Sequence, residues 1–173
     1  MERRKLLIGT AAAVGVLAGG VALRRATMQP FSLAATIDEL NALKGKTLKS
    51  AGAWNPFQVF THLAQSIEFS MRGYPAQKSP LFQSTAGSLA FNAFAAVGAM
   101  THDLAEPIPG APALPADGPV NAAIDRSVKA LNLFRVYTGS LQPHFAYGAL
   151  SREQYVQAHI MHFRNHMREI TAA

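Results

Sequence analysis

The 173-residue chain contains no cysteine. Without thiols it has neither disulfide bonds to hold the fold nor the thiolate ligands of a closed structural zinc site. A c-type haem, which is attached through cysteines, is excluded for the same reason. Any metal site must therefore use nitrogen and oxygen ligands, and the fold must depend on a hydrophobic core.

Acidic residues are also few, 10 against 16 lysines and arginines, which gives a formal net charge of +6 and a pI near 10.0. Such a pI is typical of nucleic-acid-binding proteins. However, five basic residues and one acidic residue among the first 25 account for +4 of that charge, so only +2 remains for residues 26–173. No basic patch with interleaved aromatic residues is left, and we predict that the protein does not bind nucleic acid.

The first 25 residues are typical of a segment that directs export. The pair Arg3-Arg4 precedes an apolar run of 18 residues, 6–23, and Arg24-Arg25 closes it. Twin arginines before such a run resemble the twin-arginine translocation signal of bacteria, and the run is just long enough to span a membrane. We predict that residues 1–25 are a signal peptide or a membrane anchor. The protein would then be periplasmic, or anchored in the inner membrane and facing the periplasm.

Residues 26–173 contain almost no strand pattern but many helix boundaries. The boundaries are N-cap residues followed by proline, glutamate or glutamine, and glycines that end helices. The predicted helices run from a capping box at Thr36 to Gly45, from Asn55-Pro56 to Gly73, from Ser79-Pro80 through residues 84–100, from Gly118-Pro119 to Gly139, and from Ser151 with Gln154 towards the C terminus. Four or five helices on a short chain predict an all-α fold, an antiparallel bundle in one domain over residues 26–173.

One connection is too long to be a simple turn. Residues 106–119 contain five prolines, which hold the chain extended and prevent a helix. A loop of this length often forms a lid or a wall of a pocket. The alternative is a semi-rigid strap that joins distant ends of the bundle.

The last helix carries three histidines on one face. At 100° per residue, His159, His162 and His166 fall within an arc of about 60°. An apolar stripe, Val156, Ile160, Phe163, Met167 and Ile170, lies beside them. His162 and His166 are four residues apart, so their ring nitrogens can bind one metal ion. Neutral imidazole is the commonest metal ligand, although single histidines beside a core are often packing residues.

A third ligand candidate lies on the second helix. His62 stands at the margin of the stripe Leu63, Ile67 and Met71. Two helices that each present imidazole at the core margin can form a three-histidine site between them. Ligands of this type favour a divalent Zn, Ni, Fe or Mn ion. His144, in the compact loop 143–148, is expected near the same end of the bundle as His159.

Several segments together resemble an uncharacterised branch of the DinB/YfiT-like superfamily, over residues 33–170. They are residues 54–62 with Gly73, then Phe82, Gly87, the Pro-Ile-Pro-Gly-Ala-Pro stretch 107–112, the loop 143–148 and the closing pair His162 and His166. The resemblance implies a four-helix bundle in which His62, His162 and His166 hold a metal ion. Characterised relatives include metal-dependent thiol transferases and isomerases. Export disfavours thiol transfer here, because low-molecular-weight thiol cofactors are cytoplasmic.

The predicted function is a metal-dependent enzyme, a hydrolase or transferase, whose small-molecule substrate and reaction are unknown. Three protein ligands leave a metal position for water or substrate. His159 or His144 would carry protons, with Glu68 as a weaker candidate. One alternative is a non-catalytic bundle that binds a metal, a b-type haem or an apolar ligand. Another is a structural bundle whose histidines satisfy one another. The sequence leaves the oligomeric state open, with a homodimer as one option.

Overall fold

A computed structural model describes residues 30–172, which form a mostly helical protein with one small sheet. The predicted signal or anchor segment, residues 1–25, lies outside the described residues. The helices are α1 (Leu33–Leu43), α2 (Pro56–Arg72), α3 (Pro80–Phe82), α4 (Ser88–Val97), α5 (Val120–Val136) and α6 (Arg152–His166). A π-helical turn, Gln83–Gly87, joins α3 to α4, and the strands are β1 (Leu48–Ser50) and β2 (Ile170–Ala172).

The two histidine-bearing helices begin where local capping predicts. At α2, Asn55 accepts a hydrogen bond from the Gln58 N–H, the Gln58 side chain accepts one from the Asn55 N–H, and Pro56 is the first helical residue. Ser151 and Gln154 form the same capping box at α6. These reciprocal bonds satisfy backbone donors that the first helical turn leaves free. The predicted starts of α2 and α6 are confirmed.

The predicted start of the first helix is wrong. Its N-cap is Ser32, whose hydroxyl accepts a hydrogen bond from the Ala35 N–H at 3.2 Å. Thr36 lies inside the first turn, is buried, and donates its hydroxyl hydrogen to the Ser32 carbonyl. Because Ser32 provides an equally good cap one turn earlier, the helix begins there and gains an additional turn.

The helical stripe predicted to run to Ile170 is longer than the helix, since α6 stops at His166 and Ile170 belongs to β2. Strand β2 pairs antiparallel with β1, with Ser50 opposite Ile170 and Leu48 opposite Ala172. The sequence lacks a strand pattern there because three-residue strands are too short to show alternation. This sheet ties the segment after α6 to the segment before α2.

The core is centred on α2, which packs along α5 and also contacts α6, while α1 packs against α5 and α6. Its largest fully buried side chains include Phe60, Phe134 and Tyr155. A second apolar cluster holds α4 against α6 through Phe91, Met100, Ala158 and Met161. Within residues 30–172, no helix is both long enough and apolar enough to cross a membrane.

Candidate metal centre and adjoining cavity

Three histidines from two helices converge on one point. The Nε2 atom of His162 on α6 lies 3.2 Å from Nε2 of His62 on α2 and 3.1 Å from Nε2 of His166. One ring nitrogen from each residue lies within 4.8 Å of the others. The three residues predicted from the sequence are therefore together, and we call them the three-histidine cluster.

The spacing of these nitrogens fits a metal ion. Tetrahedral zinc has Zn–N bonds of about 2.0–2.1 Å, which places its nitrogen ligands about 3.3 Å apart. The two Nε2 separations in the cluster, 3.1 and 3.2 Å, are close to that value. Since these ligands are all imidazoles, Zn, Ni and Fe suit the donor set, and Mn is less favoured.

Two members of the cluster are buried deeper than the sequence predicts, while His162 is half-buried. His62 is 3% exposed and His166 is fully buried, rather than standing at the margin of the core. Burial lowers the pKa of His62 and of His166 to about 3, and it also lowers the pKa of His162, with neighbouring histidines adding to the effect. Desolvation disfavours the charged form of each ring, so all three imidazoles are neutral at neutral pH. The neutral ring is the form that binds metals.

Two ring nitrogens in the cluster remain without hydrogen-bond partners. Nδ1 of His62 and Nδ1 of His166 are buried and have no partner within residues 30–172. A buried unpaired polar group costs about 1–3 kcal/mol, so such groups call for a functional reason. An ion on Nε2 would not itself provide that reason, because the hydrogen of each ring would then stay on Nδ1 and still have no acceptor.

Trp54, in the loop just before α2, lies beside two rings of the cluster. Its ring is parallel to that of His166, with a 7° interplanar angle and centroids 6.2 Å apart, and its centroid lies 4.8 Å from that of His62. Trp54 is half-buried and also packs against the main core. It therefore lies next to two rings of the cluster and packs against His62.

Sequence reasoning missed a fourth histidine at this site. His102, on the connection between α4 and α5, has its ring centroid 5.1 Å from that of His162 and 5.6 Å from that of His166. It lies in an irregular segment, where no helical or strand periodicity indicates its direction. The only available signal was the general one that loops on a rigid scaffold often carry functional residues.

A cavity of about 150 Å³ adjoins the cluster. Its walls include His62 and His162, the loop containing His144, and the proline-rich connection through residues such as Pro107 and Ile108. The connection is therefore a wall of a pocket, as one of the two sequence-based alternatives predicts. A cavity of this size admits a molecule about as large as benzene.

His144 and His159 both line this cavity. Two backbone N–H groups, of Ala146 and Tyr147, lie 3.1 and 3.3 Å from its Nδ1 and donate to it. The ring hydrogen therefore resides on Nε2, which has no hydrogen-bond partner within the described part of the chain. Burial lowers the pKa of His144 to about 3. The side chain is thus a neutral imidazole with a fixed N–H donor.

His159 lies deeper and is held by the core. Its Nε2 is 3.3 Å from the Ser70 hydroxyl, which itself donates to the Ile67 carbonyl at 2.7 Å, so the imidazole acts as the donor to Ser70. Its ring packs edge-on against Phe134. Burial lowers the pKa of His159 to about 3. His159 is not among the three converging histidines, although it lines the cavity.

Glu68 does not belong to this site. Its carboxylate accepts two hydrogen bonds from the Arg126 guanidinium, at 2.8 and 3.0 Å, and a weaker contact from Arg72. The side chain is absent from the residues that line the cavity. The ion pair with Arg126, which joins α2 to α5, accounts for Glu68. This agrees with its position about 120° from His62 on the helix, which already favoured a charged side chain outside the site.

These observations define a mostly helical protein whose three clustered histidines can hold a metal ion. Over residues 23–173 the chain matches the family described as "Protein of unknown function (DUF1569)", and it belongs to that family. Neither the curated proteins nor the solved structures contain a match.

Proposed function

We propose that this protein is a metal-dependent enzyme, a hydrolase or transferase acting on a small molecule. In this proposal α1, α2, α5 and α6 form a DinB-like antiparallel four-helix bundle, and His62, His162 and His166 bind one divalent ion through Nε2. The observation that carries the proposal is the 3.1 and 3.2 Å separation of these atoms. Their burial and neutral state support it further.

A divalent ion held there would supply Lewis acidity to whatever occupies its remaining coordination positions. The surrounding residues would bind and orient that molecule. His144 would donate its Nε2–H to an oxygen of the substrate, because two backbone N–H groups fix the ring hydrogen on Nε2. A neutral imidazole donor of this kind can polarise a carbonyl group. The role of His144 or His159 as a proton carrier stays a prediction, and their low pKa values favour hydrogen bonding over proton transfer at neutral pH.

The size of the cavity supports a small substrate. Sites for drug-sized ligands have volumes of about 300–1,000 Å³, whereas this cavity has about 150 Å³. Its apolar walls, which include Met100 and Ile108, would exclude water around the reacting group. The small volume also favours a small substrate over a bound haem.

We also propose that the enzyme works outside the cytoplasm, either exported or anchored facing the periplasm. The support is the Arg3-Arg4 pair before the apolar run 6–23. The twin-arginine route carries proteins that are already folded, so the ion would be loaded before transport.

Metal analysis of the full-length protein tests the central proposal. We expect about one divalent ion per chain, and loss of that ion in the double variant His162→Ala, His166→Ala. The matched control is His159→Ala on the same helix, which should keep most of the metal because Nε2 of His159 contacts Ser70 rather than the cluster. Full metal content in the double variant would refute the site. An absorption spectrum of the same sample would reveal a b-type haem, the non-catalytic alternative.

A further inference from the structure

His102, on the connection between α4 and α5, lies against the three-histidine cluster. Ring centroids within the cluster are 4.8 to 5.2 Å apart. The His102 centroid is 5.1 Å from that of His162 and 5.6 Å from that of His166. Its ring is therefore in contact with two members of the cluster at nearly the spacing that the members have among themselves.

The hydrogen bond made by His102 leaves one nitrogen available for a metal. Its Nδ1 lies 2.8 Å from the Asp103 carbonyl oxygen and must donate to it, because a carbonyl can only accept. In the neutral ring, Nε2 then carries a lone pair. Histidines that bind metals usually donate their other ring N–H to a carbonyl or carboxylate in this manner.

The backbone that carries His102 is a structured turn. Asp103 accepts hydrogen bonds from the Ala105 N–H at its carboxylate, 2.9 Å, and from the Glu106 N–H at its carbonyl, 3.3 Å. On either side of this turn, Met100 and Ile108 are buried and hold the connection against the helices. The turn therefore positions His102 at the edge of the cavity.

We propose that His102 is a fourth, loop-borne ligand of the ion, binding through Nε2 in the absence of substrate. This inference rests on the proposed metal site. The nitrogens that lie within 4.8 Å of one another belong to the other three histidines, so His102 is the outlying member of the set. A small movement of the turn would bring Nε2 to the ion or withdraw it. A substrate entering the cavity, which His102 also lines, would take its coordination position.

The test is to load the full-length protein with Co(II) and compare it with His102→Phe and His102→Ala. X-ray absorption counts the imidazoles around the ion, and we expect four in the parent protein and three in both variants. The visible Co(II) spectrum should change as water replaces a nitrogen. Co(II) affinity should fall by more than about 100-fold, beyond the about 10–100-fold loss typical of removing a residue that only supports a ligand.

The matched control is His144→Phe, which changes another histidine of the same cavity that lies outside the cluster. Its Co(II) spectrum and imidazole count should equal those of the parent. Three imidazoles in the parent protein, or an unchanged spectrum in both His102 variants, would overturn this inference and leave the three-histidine site intact. No Co(II) binding by the parent protein would overturn the metal site itself, and the fourth ligand with it. Circular dichroism of the two variants checks that they fold.

Discussion

Nε2 of His62 and Nε2 of His162 lie 3.2 Å apart, although 100 residues separate them in the chain. Their contact depends on the packing of α2 against α6, which is stabilised by the core on one side and by the β1–β2 sheet beyond the helix ends. The rings are thus brought together by a rigid part of the protein. A site of this kind is organised before any ion binds.

The fold should therefore survive removal of the metal. The apolar core is built around Phe60, Phe134 and Tyr155, and a domain of this size can bury most of its apolar surface. We expect chelated protein to keep its helical circular dichroism. Its stability should fall by about 2.7 kcal/mol relative to a sample with free ion at 100 times the dissociation constant, which lowers the melting temperature by roughly 5–10 °C.

The measurement is thermal unfolding of the full-length protein with and without chelator. Random-coil circular dichroism of the chelated sample at room temperature would show instead that the metal builds the fold, as in short zinc domains. The double variant His162→Ala, His166→Ala is the control, since its melting temperature should not respond to added metal.

Metal-free protein should lose stability as the pH falls below about 6.5. Burial lowers the pKa of His62, His144, His159 and His166 to about 3. The unfolded chain therefore takes up protons from about pH 6.5 downwards while the folded chain does not. The contribution of these histidines to the free energy of unfolding is complete above pH 6.5 and is lost progressively towards pH 3.

Urea unfolding of chelated protein between pH 7.5 and 4.5 measures this dependence. His159→Phe removes one buried histidine but keeps a ring against Phe134. Well below pH 6.5, its free energy of unfolding should fall with pH less steeply than that of the parent protein. The two slopes should differ by about 1.4 kcal/mol per pH unit. A parent protein whose stability is constant over this range would contradict the burial of neutral histidines.

Trp54 should report metal binding directly. It is the single tryptophan of the chain, and its ring centroid lies 4.8 Å from that of His62. A paramagnetic ion such as Co(II) or Ni(II) bound at the cluster should strongly quench its fluorescence. Zn(II) has a filled d shell and serves as the diamagnetic comparison, with a smaller change expected. Equal quenching in the double variant His162→Ala, His166→Ala would mean that the ion binds elsewhere.

Export should depend on the arginine pair at the N terminus. Replacing Arg3 and Arg4 with lysine should keep the precursor in the cytoplasm, because the twin-arginine machinery recognises the pair itself. A C-terminal reporter measures the location. The control is a change of Arg24 and Arg25 to lysine, which keeps the first pair. If the reporter still reaches the periplasm after the change at positions 3 and 4, the protein uses the general secretory route or another one.

The sequence by itself determined the features that depend on neighbouring residues. The starts of α2 and α6 follow from capping boxes that need only four consecutive residues. The pairing of His162 with His166 follows from helical geometry. A similar local rule failed at Thr36, because Ser32 offers a competing cap four residues earlier and the pattern alone does not rank the two.

Only the tertiary structure decided the features that depend on residues distant in the chain. The sheet of β1 and β2 forms because the segments around α2 and α6 meet, and three-residue strands leave no periodic signal. His102 lies against the cluster because Met100 and Ile108 are buried on either side of it in the chain. The neutral state of the histidines likewise arises from desolvation, which is a property of the packed core and not of the local sequence.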